Sequence, residues 1–199
     1  MLIDTSGSMH GAHVRVVEQG LHALAESLRT DPAELDTVVV SLISFDSSAR
    51  QLVPLTRVAR LSFPPLHACG TTALGEALKL LAQCISREAI AEPREGQRRD
   101  SKPLVFVMTD GMPMASWQAA ADSLQRRFHA LFIGCALGDA ADVGLLRRMT
   151  RAVVSLSGTD DRSIAATFDW VAARAGVVAA SIEAGQADGI KLPPLPPNP

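Results

Sequence analysis

The sequence predicts an α/β protein with a doubly wound, mainly parallel central sheet, one antiparallel edge strand and helices on both faces. Three observations predict it. Short apolar runs alternate along the chain with longer stretches whose apolar residues recur at helical spacing. The run Pro103–Thr109 is apolar at every position but its last, which is typical of a strand buried inside a parallel sheet. Two further runs, Thr37–Phe45 and Arg50–Val53, are separated only by the turn DSSA, which predicts an antiparallel hairpin at one edge.

The first half of the chain supplies three strands and two helices. Met1–Ile3 is a short apolar strand, and Val14–Leu28 has an apolar residue every third or fourth position, as in an amphipathic helix. Thr37–Phe45 is rich in β-branched residues and predicts a strand. A shorter strand is predicted at Arg50–Val53; it is expected to end at Val53 because Pro54 follows. Ala73–Ser86 has the spacing of a second helix.

The second half continues the alternation. Glu88–Lys102 is polar and charged, which predicts an exposed loop before the buried strand at 103–109. A helix at Ser116–Phe128 is followed by a buried strand at His129–Ala136. A helix at Ala140–Met149 and a strand at Ala152–Leu156 complete the sheet.

The domain prediction is one domain over residues 1–183 and a Pro-rich tail over 184–199. A chain of 199 residues is long enough for one large hydrophobic core. The domain would end with an Ala-rich helix at Ser163–Ile182, with Phe168, Val171 and Val178 as its apolar anchors. The tail ends in KLPPLPPNP, which favours an extended polyproline conformation.

Composition excludes several classes of function. With 19 basic and 21 acidic residues the formal net charge is -2, so no basic excess exists to bind nucleic acid or an anionic membrane. Aromatic residues make up 4% and tyrosine is absent, which argues against a base-stacking surface. No apolar run approaches the roughly 18 residues of a membrane span, and no secretory signal is apparent. The three scattered cysteines indicate reduced thiols, mostly buried as small apolar groups, and a cytoplasmic protein.

Three segments that follow strands or precede a helix carry the same kind of atom. They are Asp4–Ser8 after the first strand, Gly70–Thr72 before a helix, and Thr109–Gly111 after the buried strand. Ligands of such sheets bind at the carboxyl ends of the strands, so these segments are the ones expected to converge. Carboxylates and hydroxyls are hard oxygen ligands and select a hard dication, Mg²⁺ first and Mn²⁺ or Ca²⁺ as alternatives.

These residues resemble the von Willebrand factor type A domain and its metal-ion-dependent adhesion site. The family pattern is Asp-x-Ser-x-Ser, then a threonine at a Gly-rich helix entry, then an aspartate after a central strand. The matching residues here are Asp4, Ser6, Ser8, Thr72 and Asp110. Thr72 is chosen over Thr71 because it lies five residues before the small-apolar pair Ala77-Leu78, as the family has it. The resemblance covers roughly residues 1–183.

The resemblance also implies roles for these side chains. Ser6, Ser8 and Thr72 would bind the metal directly, and Asp4 and Asp110 would act partly through water. An acidic residue of a protein partner would complete the shell. The implied function is a non-enzymatic, cation-dependent protein-interaction module.

A narrower resemblance points to one subgroup. The segments LIDTSGSM, GTTALGEAL, VMTDGMP, FDWV and LPPLPP are similar to the tellurium-resistance TerY-type group of bacterial von Willebrand A proteins. That group is linked to tellurite and stress responses and accompanies a kinase-like and a phosphatase partner. The chain departs from the family in having only Met1–Ile3 before Asp4, where several more residues are usual.

Two other functions compete with this one. A Mg²⁺-dependent phosphoryl-transfer hydrolase would use Asp4 as its nucleophile, but haloacid-dehalogenase-like enzymes need a second aspartate two residues on, where this chain has Ser6. A structural assembly protein with a vestigial metal site would associate with its partners regardless of chelator.

Several other residues that could take part in a site also have a purely structural interpretation. Asp46 is expected to be a turn residue of the hairpin, and Cys69 a packed thiol rather than a catalytic one. Met112 and Met114 could form an apolar rim for a partner or pack internally. The five histidines are expected to be solvated rather than ligands: His10, His13, His22, His67 and His129.

Overall fold

The described residues form one six-stranded sheet flanked by helices, as predicted. The computed structural model describes residues 1–30, 35, 38–90, 103–111, 117–138, 141–150, 152–156, 167, 168 and 171. The strands are β1 Leu2–Asp4, β2 Val39–Phe45, β3 Ala49–Arg57, β4 Leu104–Thr109, β5 Leu131–Leu137 and β6 Ala152–Leu156. Their order in the sheet is β3-β2-β1-β4-β5-β6. All neighbours are parallel except the β2–β3 pair at one edge.

Helices cover both faces of this sheet. The α-helices that the structure describes from end to end are α1 Ala12–Thr30, α2 Leu74–Cys84, α3 Trp117–Phe128 and α4 Val143–Met149. Side chains alternate along β4: Phe106 and Met108 pack in a core with α1, whereas Val105 and Val107 pack in a second core with α2, α3 and α4. A strand that is buried on both faces needs apolar residues at nearly every position, which explains the continuous run in the sequence.

The strand order places a crevice between β1 and β4. The chain leaves β1 toward β2 on one side, and it later returns to β4 on the other side. In open α/β sheets the ligand site lies at this reversal, outside the carboxyl ends of the two strands. Asp4 is the last residue of β1, and Asp110 is the first residue after β4. The fold therefore brings both carboxylates to the same crevice.

The predicted end of the third strand is wrong. We expected Arg50–Val53, but the strand runs over Ala49–Arg57, through the proline. Among the described strands, β3 pairs only with β2 and so forms an edge of the sheet. The pairing shifts register here, so that Pro54 and Leu55 lie together opposite Ser41. Proline is tolerated at such a bulge on an edge strand, because its missing N–H is not needed for pairing.

The predicted exposed loop also begins too early. Glu88 lies in a turn of π-type helix, Ile85–Ile90, that continues α2, and its side chain is only 16% exposed. It accepts hydrogen bonds from the backbone N–H of Leu55 at 2.7 Å and from Gln51 at 3.1 Å, and it pairs with Arg87 at 2.5 Å. Burial by itself would raise the pKa of Glu88, but these bonds outweigh it and the pKa lies below the ordinary 4.5. Residues 91–102 of the predicted loop lie outside the described residues.

We expect Glu88→Gln to lower the free energy of unfolding at pH 7 by about 1–3 kcal/mol, the range for hydrogen bonds to a charged group. Because the folded-state pKa of Glu88 is depressed, its stabilisation is present above about pH 4.5 and is lost as the pH falls through the folded value. Urea unfolding of both proteins from pH 7 to pH 3 measures this. Glu76→Gln, at a 59% exposed glutamate on α2, is the control and should change little. A gap between wild type and Glu88→Gln that is independent of pH would contradict the argument.

The end of the predicted domain is described at three positions. Phe168 and Val171 are both buried, as predicted for anchors of the last helix. The Phe168 ring packs against Phe106, with 5.9 Å between centroids. It fills the space beside Gly20 on α1, where an added Cβ would lie 2.1 Å from the ring. The remainder of Ser163–Ile182 and the tail at 184–199 lie outside the described residues. None of the described helices combines the length and apolar character needed to cross a bilayer.

Candidate metal centre

The first wall of the site is the loop that follows β1. Asp4 is fully buried. Its Oδ1 accepts a hydrogen bond from the backbone N–H of Ser6 at 2.8 Å, and its Oδ2 accepts one from the Thr109 hydroxyl at 2.5 Å. Burial raises the pKa of Asp4; the bonds from Thr109 and Ser6 offset part of this, and the negative charge of Asp110 adds to it. Asp4 is therefore a carboxylate held rigidly in a place where its charge is costly.

Asp110 forms the opposite wall, after β4. It is 5% exposed. Its Oδ1 accepts a hydrogen bond from the Ser8 hydroxyl at 2.7 Å, and its Oδ2 lies 3.3 Å from Nδ1 of His13. The hydroxyls of Ser6 and Ser8 are 3.1 Å apart. A chain of side-chain contacts thus crosses the crevice from the β1 loop to the end of β4.

The third side is the loop before α2. Thr72 is buried, and a Cβ added at Gly111 would lie 3.4 Å from the Thr72 hydroxyl and 4.0 Å from the Ser8 hydroxyl. The two hydroxyls therefore flank Gly111. Thr71, in contrast, is exposed and contacts Ser47, through its backbone N–H at 3.1 Å and its hydroxyl at 3.3 Å. Of the two neighbouring threonines, Thr72 is the one that faces the crevice.

Backbone contacts fix this loop against the first one. The N–H of Gly7 donates to the carbonyl of Gly70 at 3.0 Å, and the N–H of Cys69 donates to the carbonyl of Thr5 at 2.8 Å. Gly70 has a φ of +71°, and an added Cβ would lie 2.3 Å from the Ser47 hydroxyl. Glycine suits this position on both counts, since it has no Cβ and tolerates a positive φ. The Gly-Thr-Thr segment is thereby docked at a defined distance from the Asp4 loop.

The sequence family follows from a direct match. A model of the von Willebrand factor type A domain matches residues 1–164. The chain belongs to the von Willebrand factor type A family. The predicted fold class and the predicted family are therefore both confirmed. No curated protein sequence matches the chain significantly.

Several solved structures share the fold at low sequence identity. A von Willebrand factor type A protein from Catenulispora acidiphila is 18% identical with a TM-score of 0.66, covering 88% of this chain and 42% of that one. Proximal thread matrix protein 1 from the mussel byssus, with a zinc-occupied MIDAS motif, is 14% identical with a TM-score of 0.58, covering 86% and 44%. The manganese-loaded TRAP protein of Plasmodium vivax is 21% identical with a TM-score of 0.57, covering 84% and 71%. The chain spans less than half the length of the first two.

All five predicted ligands of this von Willebrand A domain line one crevice. The Ser8 hydroxyl contacts both the Ser6 hydroxyl and the Asp110 carboxylate. The Asp4 carboxylate accepts a hydrogen bond from the backbone N–H of Ser6. The Thr72 hydroxyl lies beside Gly111, as the Ser8 hydroxyl does. Nowhere in the described part of the chain do three His, Cys, Asp or Glu side chains cluster as a metal site. A metal here would depend on hydroxyl oxygens beside the two carboxylates. That donor set is all oxygen and fits Mg²⁺, Mn²⁺ or Ca²⁺, although metal binding by these residues stays a prediction.

Two residues of the site were missed from sequence. The sequence pattern places Thr109 in a strand-end segment without a role, yet its hydroxyl donates to Asp4 and accepts from the N–H of Gly111 at 3.2 Å. His13 was expected to be solvated, but its side chain is 29% exposed and contacts Asp110. Both residues touch a predicted ligand and are not part of the family motif. The available signal was position: one ends β4 and the other lies in the first turn of α1.

Of the predictions for other side chains, the one for Asp46 agrees with the structure and the one for Cys69 does not. Asp46 acts in the hairpin turn as expected, accepting from the Ser48 N–H at 2.9 Å and from Arg50 at 2.7 Å. Burial by itself would raise the pKa of Asp46, but the bond from Ser48 and the charge of Arg50 lower it. The expected packing of Cys69 is wrong, because Cys69 is exposed and its Sγ lies 3.7 Å from Asp46.

The remaining cysteines and histidines follow expectation. Cys84 and Cys135 are buried thiols, and burial raises the pKa of Cys135 to about 12. Four histidines are exposed at the surface: His10, His22, His67 and His129. Met112 and Met114 lie outside the described residues.

Proposed function

We propose that this von Willebrand A domain is a non-enzymatic protein-interaction module whose binding depends on a divalent cation held between β1 and β4. The observation that carries the proposal is the contact chain from Ser6 through Ser8 to Asp110, which joins the ends of the two strands across the crevice. Ser6, Ser8 and Thr72 would bind the cation directly, with Asp4 and Asp110 acting partly through water. Mg²⁺ is the expected ion, because the donors are all hard oxygens.

The charge balance favours binding of an acidic partner. Two carboxylates cancel a 2+ charge only if both bind it directly. Where water intervenes, the cation stays electron-poor and can accept a carboxylate from outside. A partner's Asp or Glu would then complete the shell and make association depend on the metal.

The surroundings of Asp4 count against the hydrolase alternative. A nucleophilic carboxylate must reach its substrate, but Asp4 is fully buried and both its oxygens already accept hydrogen bonds. The position two residues on is Ser6, whose hydroxyl contacts Ser8. These contacts suit a fixed element of a binding site.

We expect Thr72→Ala to weaken Mg²⁺ binding at least tenfold, whereas Thr71→Ala should bind like wild type. The reason is that only the Thr72 hydroxyl faces the crevice, while Thr71 contacts Ser47. Isothermal titration of each protein with Mg²⁺, Mn²⁺ and Ca²⁺ measures the effect and ranks the ions. Loss of outer contacts alone typically costs 10–100-fold at metal sites, so loss of a direct ligand should reach that range. Equal affinities of the two variants, or uptake of no cation by wild type, would contradict the assignment.

The partner proposal rests on the narrower sequence resemblance. The similarity of five segments to the TerY-type group supports a role in a bacterial tellurite or stress-response system with a kinase-like and a phosphatase partner. Pull-down of those candidates in Mg²⁺ and in chelator, with wild type and Thr72→Ala, tests it. Capture in Mg²⁺ that is lost in both chelator and Thr72→Ala is the expected result. Equal capture in Mg²⁺ and in chelator would instead favour a structural assembly role with a vestigial metal site.

A further inference from the structure

We propose that His13 is a positioning residue that fixes the carboxylate of Asp110 in the cation site; this inference rests on the proposed function. His13 lies in the first turn of α1, directly after the loop that carries Ser6 and Ser8. Its Nδ1 is 3.3 Å from Oδ2 of Asp110, while the Ser8 hydroxyl donates to Oδ1 at 2.7 Å. The two carboxylate oxygens are therefore held by different elements, which sets the rotation of the carboxylate plane.

The ring of His13 is itself confined. A Cβ added at Gly138, just after β5, would lie 3.7 Å from Cε1 and 3.9 Å from Nε2 of His13, so the ring lies against this glycine. Gly138 is fixed in turn, because its N–H donates to the carbonyl of Leu156 at 2.7 Å. The imidazole thus packs between the end of β5 and Asp110, and 29% of its side chain remains exposed.

The chemistry of the contact sets the direction of the bond. An ionised carboxylate only accepts hydrogen bonds, so Nδ1 must carry the proton and donate it to Oδ2. Groups that orient a ligand in this way tune metal affinity without touching the metal, and their loss typically costs 10–100-fold. His13 would place Oδ1 of Asp110 toward Ser8 and the crevice in the metal-free protein, before any cation arrives.

Three variants test this by titration with Mg²⁺. His13→Ala should bind about 10–100-fold more weakly than wild type. His13→Asn keeps an N–H donor near the place of Nδ1 and should recover most of the lost affinity. His22→Ala, at an exposed histidine on the same helix, should bind like wild type. Wild-type affinity of His13→Ala, or equal weakness of the Ala and Asn variants, would overturn the inference.

The experiment separates this inference from the proposed function. If wild type binds Mg²⁺ and Asp110→Ala does not, but His13→Ala binds normally, the cation site stands and the role of His13 falls. If wild type binds no cation, both fall together.

A second readout uses the metal-free protein. Nitrogen-15 NMR of the histidine rings reports which of the two ring nitrogens carries the proton. His13 should show a protonated Nδ1 in wild type and should lose this preference in Asp110→Ala. A His13 ring with the same tautomer mixture as His22 would contradict the proposal.

Discussion

Replacement of Phe168 by alanine should lower the free energy of unfolding by about 3–5 kcal/mol, the range for a buried phenylalanine. Phe168 is fully buried, its ring packs on Phe106 of β4, and it fills the gap beside Gly20 of α1. Chemical unfolding at equilibrium measures the loss. Phe128→Ala is the control, since Phe128 is only partly buried and should cost distinctly less. Similar losses at the two positions would contradict this packing.

The contact with Gly20 predicts a change of sign. Gly20→Ala should destabilise wild type by about 1–3 kcal/mol. The added Cβ would lie 2.1 Å from the Phe168 ring and would overpack the core. In the Phe168→Ala background the same substitution should stabilise by up to about 1 kcal/mol, the gain in helix propensity from glycine to alanine. A double-mutant cycle measures the coupling. An effect of Gly20→Ala with the same sign in both backgrounds would show that the ring does not occupy this space.

Asp110→Asn should abolish stabilisation by Mg²⁺. The substitution keeps the shape of the side chain but removes one of the two carboxylates that line the proposed cation site. With Mg²⁺ at a hundred times its dissociation constant, wild type should gain about 2.7 kcal/mol of unfolding free energy, by mass action. Asp110→Asn should gain none at the same concentration.

Thermal unfolding with Mg²⁺ and with chelator measures both gains. Asp122→Asn, at an exposed aspartate of α3, is the control for loss of one negative charge outside the predicted ligand set and should keep the full gain. A full Mg²⁺ gain in Asp110→Asn would remove Asp110 from the site.

Most of the fold was predictable because its signals are local. The run at β4 is continuous because both faces of that strand are buried, and the spacing over α1 repeats because one face of that helix packs on the sheet. The errors occurred where a neighbour decides the outcome. β3 continues past Pro54 because it is an edge strand with a bulge, and Glu88 turns inward because the bulge offers the N–H of Leu55. The residues next to Pro54 and Glu88 in the sequence predict neither outcome.

The sequence by itself determined which atoms could form the site: two strand-end aspartates, two serines and a threonine, in the order of the von Willebrand A family. The tertiary structure alone decided how they are held, because a hydrogen bond between Ser8 and Asp110 joins residues 102 positions apart. It also showed that Thr109 and His13 contact the two carboxylates. Pattern and spacing report on which side chains are buried and in what order. Contacts between distant segments depend on strand order, which places the ends of β1 and β4 side by side.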